Sequence, residues 1–150
     1  MKNLLFLFAF LLIATISNAQ TKLYGGLAFA NNGPKAELGF TENYAKHGFK
    51  IKTSLSYTYE NSYVSSDAEV DKNLDIHHLS ISSVVLFNLS KFDLGGGVSY
   101  RFFLPYASAN VGLELVAQTH ITEKIDLQVV YDRTINGYNY ASFGINYYLF

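Results

Sequence analysis

The sequence predicts an all-β chain, an eight-stranded antiparallel up-and-down transmembrane β-barrel. Three observations predict it. Apolar and polar residues alternate with a period of two along successive runs. No stretch after residue 19 holds apolar residues at helical spacing for three turns. Aromatic residues on the apolar face gather at the ends of the runs, with Leu, Ile, Val, Gly and Ala between them. The 12 Tyr and 12 Phe against 2 Pro in 150 residues favour sheet over disorder.

Taken in order, residues 1–19 read as a leader that is not part of the fold. Lys2 gives a positive start, Leu4 to Ile16 is mostly apolar, and Ser17-Asn18-Ala19 supplies the small residues of a cleavage site. A membrane-crossing helix needs roughly 20 apolar residues, and this run is shorter. The expectation is cleavage near Ala19 and one barrel domain over 20–150. Period-two runs follow at Leu23–Phe29, Ala36–Phe40, Phe49–Tyr59, His77–Leu89, Phe92–Phe102, Val111–Thr119, Ile125–Tyr131 and Tyr138–Phe150. The clearest is the third, where Phe49, Ile51, Thr53, Leu55, Tyr57 and Tyr59 face one way and Lys50, Lys52, Ser54, Ser56 and Thr58 the other.

The connections differ by end. One end is expected to carry Asn31-Asn32-Gly33-Pro34, the long Asn61–Leu74 loop, the Pro105-Tyr106 stretch and Ile135-Asn136-Gly137. The other carries Glu42–Gly48, Ser90-Lys91 and Ile121-Thr122-Glu123. Long loops on one side and tight turns on the other suit an outer-membrane barrel, although Glu42–Gly48 is long for a turn. Register follows by arithmetic. Pairing Phe87 with Leu94 leaves Ser90-Lys91 as a two-residue turn. Placing Phe40 opposite Phe49 sets Glu37 opposite Lys52 on the polar face. The last strand stays open: an Asn136-Gly137 turn pairs Tyr131 with Ser142 and sends Ser142, Gly144, Asn146, Tyr148 and Phe150 outward. A three-residue Ile135-Asn136-Gly137 loop sends Phe143, Ile145 and Tyr147 outward instead.

Alternation alone also fits a secreted soluble barrel, whose apolar face lines the core. The aromatics decide for the membrane: Phe29, Tyr57, Tyr59, Tyr100, Phe102, Tyr131 and Tyr138 near one rim, and Phe40, Phe49, Phe87, Phe92 and the Tyr147–Phe150 group near the other. The polar face is rich in Ser, Gly, Thr, Asn and Gln. Its charges Lys50, Lys52 and Arg101 are expected to meet Glu37, Glu114, Asp126 and Asp132 inside a confined space. A formal net charge of −1, more negative once Lys2 leaves, offers no basic face for nucleic acid. The absence of Cys excludes disulfides and thiolate chemistry.

The Ala19-Gln20 junction, eight alternating runs and the closing Gly144-Ile145-Asn146-Tyr147-Tyr148-Leu149-Phe150 resemble the small outer-membrane β-barrel superfamily, which includes the OmpA transmembrane domain and the OmpX and OmpW groups. The leader resembles those of Bacteroidetes proteins. The resemblance implies the outer membrane of a Gram-negative bacterium, contact with outer-membrane lipid and lipopolysaccharide, and recognition of Tyr148 and Phe150 by the barrel-assembly machinery. Resemblance to the OmpW group also leaves a narrow channel or carrier for small hydrophobic compounds as an alternative role, while the Asn61–Leu74 loop is the expected place for an extracellular ligand because loops on a rigid barrel usually carry such function.

No catalytic, cofactor or metal site is expected. His78-Leu79-Ser80 puts His and Ser on one face, and a lipid A deacylase family uses a similar pair, but this pair points inward, away from lipid. Asp67-Ala68-Glu69-Val70-Asp71 opens like a calcium loop, yet Lys72 stands where Gly is required and His78 where the closing Glu belongs. His77 and His78 face opposite ways and cannot chelate together. His47 and His120 are read as isolated turn residues. Gly95, Gly97 and Ser99 are read as making room for neighbours such as Arg101 or Tyr24. The expected role is structural or surface-interacting, through the Asn61–Leu74 and Pro105-Tyr106 loops.

Overall fold

The computed structural model describes residues 20–44, 47–64, 72–104 and 108–149. The strands are β1 (Gln20–Ala30), β2 (Gly33–Tyr44), β3 (Phe49–Val64), β4 (Lys72–Asn88), β5 (Phe92–Leu104), β6 (Ser108–His120), β7 (Ile125–Thr134) and β8 (Asn139–Tyr148). Each pairs antiparallel with the next, and β1 pairs with β8 to close the barrel. Closure leaves no free edge along the shared length of the barrel, so strand backbone groups there find partners without water. Asn31 pins the seam: its backbone N–H donates to Ala141 O at 2.8 Å, and its Oδ1 accepts from the Ala141 N–H at 3.2 Å.

The period-two pattern becomes two surfaces. Outward positions carry exposed Leu27, Phe29, Leu38, Leu113, Leu115, Phe143 and Ile145; inward positions carry buried Lys52, Ser54, Ser56, Glu114, Gln118, Gln128 and Asn146. A water-soluble barrel reverses this order. Tyr57, Tyr100, Phe102, Tyr131 and Tyr138 ring one end of the outward belt, and Phe87, Phe92 and Tyr147 ring the other.

The last strand resolves. Tyr131 pairs with Ala141 and Val129 with Phe143. The Ile135-Asn136-Gly137 loop has Gly137 at φ 87°, a left-handed position that suits glycine. Phe143, Ile145 and Tyr147 therefore face outward and Tyr148 turns inside, leaving the outer girdle.

Most strands run past the expected alternating segments, and two connections change the most. Tyr44, not Phe40, stands opposite Phe49; Phe40 pairs with Thr53, and Glu37 with Ser56. The Glu42–Gly48 connection thus shrinks to 45–48. The β3–β4 pairing continues to Val64 opposite Lys72, so the Asn61–Leu74 loop is a two-stranded ribbon for much of its length. One cause explains both. Beyond the hydrocarbon both faces of a strand are wet, so backbone pairing persists where apolar alternation has stopped. The tip at 65–71 and the Pro105-Tyr106 stretch lie outside the described residues, as do the leader 1–19 and Phe150.

Candidate functional site

The polar side chains of the interior converge in three layers. At the end carrying connections 45–48, 89–91 and 121–124, Asp93 of β5 is fully buried. It accepts from Lys50 Nζ at 2.8 Å and from Gln118 Nε2 at 2.9 Å. His120 of β6 stands between two carboxylates, Nε2 at 3.1 Å from Asp93 Oδ2 and Nδ1 at 2.6 Å from Asp126 Oδ1. His120 is thus not an isolated turn residue. It joins β5 to β7 across its own strand.

In the middle, Glu37 of β2 collects three partners. Lys52 Nζ and Lys35 Nζ each lie 3.1 Å away, and Tyr24 O–H donates at 2.6 Å. The Lys52 ammonium also lies 4.8 Å from the Tyr24 ring centroid and donates to Gln128. Glu37 and Lys52 meet although their backbones are not opposite, because the long Lys side chain spans the stagger of tilted strands. The facing wall is aliphatic, from Val84, Leu86, Val116 and Val130. Gly95 and Gly97 of β5 allow it: a Cβ there would collide with the backbone oxygens of Val85 and Ser83. These glycines serve packing, as expected. What they accommodate is the β4 backbone rather than Arg101 or Tyr24.

At the opposite end, Arg101 Nη2 and Ser99 O–H both donate to Asp132 Oδ2 at 2.7 Å. The Arg101 guanidinium stacks 3.5 Å from the Tyr140 ring centroid. Beside it, His78 Nε2 lies 3.0 Å from Glu60 Oε2, which also accepts from Asn32 Nδ2 at 3.0 Å. The cavity bounded by Arg101, Asp132, Glu114 and Tyr140 measures about 30 Å³, room for roughly one water molecule.

His78 and Ser80 do point inward, both buried. Nδ1 of His78 makes no hydrogen bond to Ser80 or any other described residue, and its ring packs on Phe103 with centroids 4.5 Å apart. His78 and Ser80 thus share the interior with no hydrogen bond between them. His77 faces outward, 2.5 Å from Tyr57 Oη. Among the described residues no three His, Asp or Glu side chains are grouped to hold a metal; the acidic Asp67–Asp71 segment lies outside them. Sequence reasoning missed Asp93, Lys35 and Glu60 as interior charges. The inward phase of each strand marks all three.

No family model matches the chain, and no curated protein matches it. Its fold is similar to that of the Yersinia pestis outer membrane protein Ail in a phospholipid bilayer nanodisc, with TM-score 0.59, 10% identity, and 88% of this chain and 100% of that one covered. A major outer membrane protein from Thermus thermophilus is similar at TM-score 0.59 and 12% identity, over 88% of this chain and 100% of that one. A de novo designed transmembrane β-barrel is similar at TM-score 0.57 and 11% identity, over 87% and 99%. The chain is an eight-stranded antiparallel transmembrane β-barrel.

Proposed function

We propose that the protein is a small integral barrel of a Gram-negative outer membrane, exported by the 1–19 leader and cleaved near Ala19, with a structural or surface-interaction role. The observation that carries this reading is the contrast between a filled interior and one protruding ribbon. Charges, Tyr24 and the Val84–Leu86 wall fill the middle of the lumen, between a water-sized cavity beside Arg101 and a vestibule of about 580 Å³ beside Lys50, His120 and Asp126, and this plug argues against an open pore or a hydrophobic-compound carrier. β3 and β4 run 16 and 17 residues while β7 and β8 run 10 each, and crossing needs only about 9–11. β3 stays paired with β4 from Tyr59 to Val64, past its last β2 partner Thr58, so this ribbon extends roughly 20 Å along the strand at about 3.3 Å per residue. Likeness to outer membrane barrels supports the location, and recognition of Tyr148 and Phe150 by the assembly machinery belongs to the same reading. His78 without a bonded Ser80 argues against lipid A deacylation.

Cell fractionation tests the location: the protein is expected in the outer-membrane fraction, with a gel band that shifts on boiling. Recovery as a soluble protein overturns it. Replacing 65–71 by a short turn is expected to abolish binding of cells to a surface ligand while keeping the heat shift.

A further inference from the structure

The vestibule at the end carrying connections 45–48, 89–91 and 121–124 has a volume of about 580 Å³, within the range of small-molecule sites, about 300–1,000 Å³. The charges on its wall are of two kinds. Lys50 is held by Asp93, and His120 by Asp93 and Asp126, so these four belong to the packed interior. Lys22 of β1 and Glu123 of the 121–124 connection also line the vestibule, and both are exposed. Among the described residues no ion pair involves either of them, and they do not pair with each other. One cavity thus presents a cation and an anion that the fold leaves unneutralised. Thr41 adds a third unused group. It stands opposite Lys22 on β2, lines the vestibule and is only 4% exposed, yet its hydroxyl has no hydrogen-bond partner. A buried hydroxyl without a partner costs stability, and the chain supplies none for this one.

The spacing of the two charges selects the length of a ligand. Lys22 lies on β1 and Glu123 just before β7, with β8 between those strands. Two strand spacings of about 4.8 Å set the charged walls roughly 10 Å apart. An extended peptide of two or three residues covers about 7–10 Å, whereas a single amino acid carries both its charges on one carbon and cannot reach both walls. Tyr148, whose ring centroid lies 5.7 Å from Lys22 Nζ, lines the vestibule between them. We propose that the vestibule binds a short unblocked peptide of about two or three residues, with its α-carboxylate at Lys22, its α-ammonium at Glu123 and its backbone bonded to the Thr41 hydroxyl. Both ends of such a peptide gain charge-assisted hydrogen bonds. The site is separate from the surface role of the 61–74 ribbon, and either can stand without the other.

The test is calorimetric titration of the purified protein, in an uncharged detergent, with trialanine and with its N-acetylated and C-amidated forms, each lacking one terminal charge. The expected result is saturable binding of trialanine to one site, weakened about tenfold by either block, the loss of one charge-assisted hydrogen bond. Lys22→Gln is expected to bind the free and C-amidated peptides alike, because the carboxylate has lost its partner. Glu123→Gln is expected to bind the free and N-acetylated peptides alike. Lys91→Gln removes a charge at the same end but off the vestibule wall, and is expected to behave as the unaltered protein. All three side chains are exposed, and the heat-shifted gel band verifies that each variant folds. Equal affinity for all three peptides overturns the proposal, as does a Lys22→Gln protein that still discriminates against the C-amide. Absence of saturable heat with trialanine also overturns it, while the heat-shifted band leaves the barrel and its location standing.

Discussion

Arg101 is held from two sides, by the Asp132 carboxylate and the face of Tyr140, with Ser99 sharing the same Asp132 oxygen. Removing one member leaves a buried charge uncompensated, which costs more than the pair itself contributes. Asp132→Ala is expected to destabilise the barrel by about 3–5 kcal/mol, read as a lower urea midpoint for folding into vesicles. An unchanged midpoint would show that Arg101 finds water or Glu114 instead. Gly97 carries a different constraint, steric rather than electrostatic. Gly97→Ala is expected to cost about 1–3 kcal/mol by overpacking against Ser83 O, whereas Gly25→Ala, whose Cβ would make only an ordinary contact with Leu38 at 3.6 Å, should leave the midpoint within experimental error.

At the scale of the strand, β8 shows what alternation can and cannot decide. Its sequence offered two phases, since Ser142, Gly144 and Asn146 suit an interior while the terminal aromatics favour the opposite facing. Hydrophobicity won, because Phe143 and Ile145 lose more by facing a polar lumen than Tyr148 loses by entering it, where it packs on Tyr24 with centroids 5.6 Å apart. Ile145→Arg is therefore expected to cost about 2–4 kcal/mol, the penalty of a cation in mid-bilayer. A cost near zero would return Ile145 to the lumen. The eight strands were legible because hydrocarbon on one side and polar packing on the other impose the period. The β2–β3 register was not, because Thr41-Glu42-Asn43 lies where that contrast fades. The interior pairs were half legible: Lys52–Glu37 and Arg101–Asp132 were among the expected partners, while Lys50 found Asp93 and His120 found two carboxylates. Phase places a side chain inside but does not say which neighbour the tilt of the strands brings within reach.

For the molecule as a whole, the filled lumen predicts negligible passage of sugar-sized solutes. Liposomes loaded with the barrel should swell at the rate of empty ones, and measurable swelling would require the Glu37–Lys52–Lys35 layer to open. That layer also bears on how the protein enters a bilayer. Glu37 on β2 draws its partners from β1 and β3 as well as its own strand, and Asp132 on β7 draws Arg101 and Ser99 from β5. A hairpin threading the membrane alone would carry bare charges through hydrocarbon, at several kcal/mol each. Glu37 already meets Lys35 and Lys52 within the β2–β3 hairpin, but Arg101 and Asp132 are neutralised only once β5 and β7, separated by β6, have curled together. Assembly is therefore expected to proceed by a concerted crossing of a nearly closed cylinder rather than strand by strand, with the last-formed β1–β8 seam completing after the interior has already paired.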